Sequence, residues 1–387
     1  MLRPDPFIGG NNMVYLGCYT DDAHTCGLKA LALDVATGRM EVAAEYPVSR
    51  AIYQALSPDG QWLYSCTGEG LASFAVGKDG NLAAIDTLSL GSCVCHVAAM
   101  PDGKRVVFAE YLGGFAGSVT VEGGWFGEPV VHRHSGSGPN LPRQDKAHCH
   151  QALPLPDGSG YAVCDLGLDE IVEYPSGRVF KTTPAGAGPR HLIFHPNGRL
   201  AFLVSELGNL VTSLSWSPVD GFKALDALST LSDEKHISHA EAQRGGERRD
   251  DFITGVLPQT PENLCDLGLS ASLREANPIQ KTTGANLAAA IRFTPDMKRI
   301  VVSNRGENSL VVFDFDEATG RLAFKARTIL PGDWPRDFLF VSDTLALVAM
   351  ERSGCVHALG YDRDGGGFRV VSTLSNLFRP VALLYAG

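Results

Sequence analysis

The sequence predicts an all-β chain built from one repeated unit, and three observations carry that prediction. A Pro-Asp-Gly or Pro-Asn-Gly turn between short apolar runs recurs at 57–60, 101–103, 156–158 and 196–198, with a variant TPDM at 294–297. The turn prolines Pro58, Pro101, Pro156, Pro196 and Pro295 stand 43, 55, 40 and 99 residues apart, and a degenerate copy, FVSDTLALVAME, has its turn about 47 residues after the last. Intervals of roughly 40 to 50 residues, each holding four short strands, are the spacing of propeller blades. Finally, 43 Gly and 22 Pro among 387 residues supply many turns, and a 44% hydrophobic content supplies a core.

Taken in order, VYLGCYT at 14–20 alternates like a strand, and LKALALD at 28–34 follows with the turn ATGRM and a further strand, EVAAEYPV. Each later turn is then preceded by one apolar strand and followed by another: QWLYSCT, KRVVFAE, GYAVCDL, RLAFLVSE and KRIVVSNR. Six hairpins are counted this way. A seventh blade is expected from the two ends of the chain, the strand near Val14 pairing with the closing PVALLYAG to shut the ring and remove its edges. The whole chain, 1–387, reads as a single seven-bladed β-propeller domain. The 99-residue interval is read as an insertion at about 221–284, because strand alternation is lost there and a charged patch, SDEKHISHAEAQRGGERRDD, appears.

The formal net charge of −10 argues against a nucleic-acid partner and against an anionic membrane surface. Nine scattered cysteines without a CxxC pair read as reduced thiols. No apolar run approaches the ~18 residues of a membrane helix, and the N-terminus lacks a signal-peptide h-region, so a cytoplasmic protein, monomer or homodimer, is expected.

Repeat symmetry also locates chemistry. After each turn the outgoing strand reaches an acid or a base, namely Glu69, Glu110, Asp165, Glu206, Arg305 and Glu351; across the hairpin the ingoing positions hold Arg50, His96, His150, Arg190 and Arg336. Antiparallel pairing about Gly198 brings Arg190 opposite Glu206. Innermost strands line the channel of such a ring, so these groups are expected to collect at one mouth. Arginines in an otherwise acidic protein suit an anionic small molecule, and His150 and Glu206 are the candidate acid/base groups. Four histidines, His132, His134, His148 and His150, form two HxH pairs, yet no carboxylate or cysteine joins them at diagnostic spacing, so no metal is expected. Cys149 reads as a packed core thiol. GxGxxG, P-loop and GxSxG elements are absent, and no cofactor is expected.

GAGPRHLIFHPNG followed by SELGN, with AHCHQALPLPDG, AAAIRFTPDMKRIVVSNRGENSLVVFDFD and GDWPRDF, resembles the lactonase family of seven-bladed propellers. That family includes the propeller-type 6-phosphogluconolactonases and the carboxy-cis,cis-muconate lactonising enzymes. The resemblance implies an active site of His150, Arg190 and Glu206, with Arg305 and Arg336 on the substrate; His96, from the rim, and Asn286 are the further candidates for binding it. Asn286 stands near the place of an arginine that some members carry and this chain lacks. It also implies cofactor-independent hydrolysis of a small anionic lactone, 6-phosphogluconolactone first, with carboxymuconate cycloisomerisation and a non-catalytic binding platform as the alternatives.

Overall fold

A computed structural model of the chain describes residues 12–231 and 286–387. Its 28 strands form seven four-stranded antiparallel sheets. The first blade joins both ends of the fold: β1 (Met13–Cys18), β2 (Leu28–Leu33) and β3 (Met40–Tyr46) are completed by β28 (Pro380–Ala386) on the inner side. Blade two holds β4 (Gln54–Leu56), β5 (Trp62–Cys66), β6 (Gly70–Val76) and β7 (Leu82–Ser89). Blade three holds β8 (Val94–Ala99), β9 (Arg105–Glu110), β10 (Phe115–Glu122) and β11 (Trp125–Arg133). Blade four comprises β12 (Cys149–Pro154), β13 (Tyr161–Asp165), β14 (Glu170–Tyr174) and β15 (Val179–Lys181). Blade five comprises β16 (Pro189–Phe194), β17 (Leu200–Ser205), β18 (Leu210–Ser217) and β19 (Gly221–Ser229). Blade six runs β20 (Leu287–Phe293), β21 (Arg299–Arg305), β22 (Ser309–Phe315) and β23 (Leu322–Ile329), and blade seven runs β24 (Pro335–Phe340), β25 (Leu345–Met350), β26 (Cys355–Tyr361) and β27 (Phe368–Leu374).

The seven-bladed ring closed by its terminal strands is therefore as the repeats predict. One boundary differs. The expected insertion from about 221 opens with a regular outer strand, β19, whose alternation is broken because Leu225 bulges out between Asp226, paired with Ser213, and Ala224, paired with Leu214. The charged stretch and the remainder of that expected insertion, 232–284, lie outside the described residues.

Middle strands have neighbours on both faces, so they read as continuous apolar runs; β17, LAFLVS, is buried throughout. Blades five and six share one apolar cluster that holds Phe202, Val204, Val302 and Phe313, all unexposed. Cutting either phenylalanine to alanine is expected to cost about 3–5 kcal/mol through lost burial and the cavity left behind. The turn at Gly198 shows how the repeat is punctuated. Asn197 accepts from the Arg199 and Leu200 amides at 2.9 and 3.1 Å, and Gly198 takes φ +68°, which a side chain would resist.

The inner strands β28, β4, β8, β12, β16, β20 and β24 touch in succession around the channel. Most share an irregularity near their first residues. Pairing skips one residue at Cys95, His150, Arg190 and Arg336, likewise at Val381, and two at Ala289 and Ala290. A bulge of this kind breaks strict alternation and re-aims the extra side chain.

Candidate active site

The bulges build a pocket at the channel. It is a partly open cleft lined by Ile52, Tyr53, Cys95, His150, Arg190, His191, Arg336, Asp337 and Val381. In a regular strand, neighbours such as Arg190 and His191, or Arg336 and Asp337, would face opposite ways. Beside a bulge both members of each pair reach the pocket.

Arg190 and Glu206 meet as their hairpin predicts, although Arg190 occupies the bulge and Glu206 lies one residue beyond β17. Arg190 Nε donates to Glu206 Oε2 at 2.9 Å, and both side chains are almost unexposed. Glu206 serves two further guanidiniums, from Arg305 at 2.6 Å on the same oxygen and from Arg143 at 2.6 Å on Oε1. Burial alone would raise its pKa, but Arg305, Arg143 and Arg190 together hold it well below the ordinary glutamate value. Glu206 is thus a fixed anion and a poor base. Arg190 is pulled down to about 9 by burial and then by Arg305; its Nη1 donates to the Ala289 carbonyl at 2.7 Å and lies 3.3 Å from the His191 ring nitrogens.

His150 is buried, with no hydrogen-bond partner for Nδ1 among the described residues. Burial and the nearby Arg190 push its pKa well below that of a free imidazole, so it is neutral across physiological pH. His191, unremarked in the sequence, lies against it at 5.2 Å between ring centroids and is held neutral by burial and Arg190.

Three residues expected on the substrate lie outside the pocket lining. His96 sits one residue past the bulge, so Cys95 takes the position equivalent to His150. His96 packs instead under Tyr53, ring centroids 4.0 Å apart, with its pKa lowered to about 3 by burial and Arg292. Arg305 does not line the pocket: its guanidinium is spent on Glu206 and on the Leu287 and Ala288 carbonyls, under Trp334. Asn286 ties loops together, donating to Asn209 Oδ1 at 2.8 Å and accepting from the Glu307 amide at 2.7 Å. Arg50 and Glu69 likewise lie outside the lining. Arg336 does line it, paired with Glu351 at 3.2 Å.

Residues that escaped the sequence reading fall into two sets. Arg143 reaches Glu206 from the loop before β12, where no repeat position announces it. His191 and Asp337 line the pocket beside the bulges, and Tyr53 lines it from just before β4. Asp337 is held by Arg292 at 2.9 Å and by the Leu383 amide at 3.0 Å, and burial raises its pKa.

The HxH pairs do not converge. His132 stacks on Tyr174, His134 bridges Asp165 and Tyr174 at 2.7 and 2.9 Å, and His148 bridges the Tyr111 carbonyl and Asp145. His134, Cys149 and Asp165 do place ligand atoms within 4.8 Å of one another. Hydrogen bonds already use them, with Cys149 directed at Asp165 and the other Asp165 oxygen taken by three amides. Burial and Asp165 keep the Cys149 thiol protonated, as a packed thiol should be.

Ring and pocket together define a β-propeller with a cationic, imidazole-bearing cleft at its channel. The chain belongs to the lactonase, 7-bladed beta-propeller family, whose model matches residues 13–249 and 257–384. It is similar to the 6-phosphogluconolactonase of Bacillus subtilis, 27% identical over 96% of this chain and 97% of that one. Among solved structures it is similar to a Lactobacillus plantarum protein (TM-score 0.77, 25% identity, covering 97% of this chain and 99% of that one). The fold is also that of the periplasmic gluconolactonase of Pseudomonas aeruginosa (TM-score 0.78, 22% identity, 97% and 99% covered). No helix among the described residues is long and apolar enough to cross a membrane.

Proposed function

We propose that the chain hydrolyses small anionic lactones without a cofactor, 6-phosphogluconolactone being the member of that class to which the relative's name points. The observation that carries this reading is the pairing of a neutral imidazole, one of its nitrogens without a hydrogen-bond partner among the described residues, with a guanidinium immobilised by a buried carboxylate, at one pocket. His150 takes the proton of a water as its oxygen bonds to the lactone carbonyl carbon. Arg190 stabilises the oxyanion that forms, an effect worth about 10²–10³ in rate for a well-placed donor. The ring C–O bond then breaks, and His150 returns the proton to the departing alkoxide. Arg336 holds the substrate's anionic group, and Glu206 keeps Arg190 charged and aimed.

Cycloisomerisation is less well served, because its acid must start as the protonated imidazole, whereas hydrolysis starts from the neutral imidazole that burial and Arg190 favour. A binding platform is less well served by a buried cleft than by an exposed top. The test is hydrolysis of 6-phosphogluconolactone and carboxylated lactones, followed by pH-stat with a chelator present. Turnover above the spontaneous rate, removed by His150→Gln and by Arg190→Met, is expected; activity unchanged in both variants overturns the site, and no turnover of any lactone overturns the reading. The rate should show no inflection near the pKa of free histidine, ~6.5, and should fall as pH rises past about 9, where Arg190 loses its proton.

A further inference from the structure

At two bulges the residue after the displaced arginine also reaches the pocket, and the two partners differ in charge. Blade five presents Arg190 with His191, and blade seven presents Arg336 with Asp337. His191 is neutral, whereas Asp337 sets a buried acid beside the guanidinium assigned to the substrate's anionic group. A carboxylate there repels that group and loses hydration, so its presence on the wall calls for a contact that offsets both.

The oxygens of Asp337 are fixed in place. Arg292 Nη2 donates to Oδ1 at 2.9 Å, and the Leu383 amide donates to Oδ2 at 3.0 Å. The same Nη2 faces the Tyr53 hydroxyl at 3.5 Å, so one guanidinium on β20 orients an oxygen from blade seven and another from blade two, both on the pocket wall. Each carboxylate oxygen carries two lone pairs, and capacity remains for a donor from the pocket. A cationic donor would meet Arg190, Arg292 and Arg336 together, so the donor that fits is neutral. On a lactone that donor is a hydroxyl.

We infer that Asp337 is a specificity residue that accepts a hydrogen bond from a ring hydroxyl of the substrate, with the Tyr53 hydroxyl, held by the same arginine, as the neighbouring contact. This rests on the lactonase reading above and deepens it by naming the group that reads the hydroxyls. The carbonyl lies toward Arg190 and His150, the anionic group toward Arg336, and a hydroxylated edge of the ring toward Asp337. A site built around such a bond discriminates strongly against an analogue that lacks the hydroxyl, because the buried acceptor is then left without its donor.

The matched probes are 6-phosphogluconolactone and its 2-deoxy, 3-deoxy and 4-deoxy counterparts, which keep ring and phosphate and each lose one hydroxyl. The unaltered protein should lose about tenfold or more in kcat/KM on at least one of the three. Asp337→Asn should then lower kcat/KM on the parent lactone far more than on that deoxy counterpart, so that the discrimination collapses; a merely structural role would lower all four together. Arg292→Lys, which keeps a cation but loosens both oxygens, should shrink the discrimination several-fold and serves if Asp337→Asn does not fold. Equal use of all four lactones by the unaltered protein, or a discrimination indifferent to a folded variant, overturns the inference and leaves lactone hydrolysis standing. If none of the four is turned over, calorimetric binding of 6-phosphogluconate and its deoxy counterparts decides: a preference for the fully hydroxylated acid that Asp337→Asn removes upholds the role of Asp337 without the lactonase reading, and equal or absent affinity overturns it.

Discussion

Blades three and four end their second strand in an acid, Glu110 or Asp165, and blades five and seven carry one a single residue beyond it, Glu206 or Glu351, yet the two pairs do different work. Glu110 accepts from the Leu112 and Gly113 amides and from Ser92, and Asp165 accepts from the amides of His148, Gly167 and Leu168. They stitch the turns that follow them. Glu206 instead binds Arg143, Arg190 and Arg305, and Glu351 binds Arg336 and Arg379. In blade five the reason is visible one loop away. The amides of Leu207 and Gly208 both donate to the Ala187 carbonyl, at 3.0 and 2.9 Å, so the turn is satisfied without the carboxylate. A repeat supplies the position of an acid, and whether its turn amides are already taken decides what the acid can bind.

The largest test of this difference is Glu206→Gln set beside Asp165→Asn. Leaving two buried guanidiniums, Arg190 and Arg305, and the partly exposed Arg143 without their counter-charge should cost about 3–5 kcal/mol and abolish nearly all turnover. Asp165→Asn should cost about 1–3 kcal/mol through weakened amide bonds and the lost acceptor for His134, while kcat/KM stays close to that of the unaltered protein. Denaturant unfolding and lactone assay read the two, and equal losses of activity would break the distinction.

Acid should also strike the cationic side first. His96, His150 and His191 have folded pKa values below the unfolded one, so the unfolded chain binds more protons once pH drops under about 6.5, and stability present above that pH is lost as it falls. Each contributes a slope of about 1.4 kcal/mol per pH unit within its window. Glu206, lowered as well, adds the same sign of loss below about 4.5. A urea midpoint that holds steady between pH 7 and about pH 5 would contradict this, since ionisation of the histidines is the dominant change there.

Gly188→Ala probes the loop that frees Glu206. Gly188 takes φ +65°, and an added Cβ would meet Leu207 Cγ at 2.8 Å, so about 1–2 kcal/mol of stability should be lost. Turnover should decline too, because displacing Leu207 disturbs the amides that release the carboxylate. The smallest expected effect belongs to Asn286→Ala, which loosens the contact with Asn209 and Glu307 and should leave KM unchanged.

The ring was legible in the sequence because turn chemistry repeats with the blades, and closure followed from counting hairpins. The meeting of His150, Arg190 and Glu206 was legible because hairpin pairing and blade symmetry both act on it. Bulges were not. The skipped residue at Cys95 moves His96 out of the equivalent position, and the skipped residues at Arg190 and Arg336 admit His191 and Asp337, which alternation assigns to the opposite face. Arg143 stayed hidden because it arrives on a loop with no counterpart in other blades. Arg305 was expected on the substrate, and the structure turns its guanidinium to Glu206 and to the Leu287 and Ala288 carbonyls at the start of β20.

The closing strand β28 carries a consequence for biosynthesis. It contributes Val381 to the wall and the Leu383 amide that holds Asp337, although every other strand of the ring precedes it in the chain. A ribosome can therefore release six complete blades and still leave the cleft unbuilt. Binding competence should switch on in one step as Pro380–Ala386 clears the exit tunnel, and a chain stopped just short of it would keep most of its core while having no usable pocket.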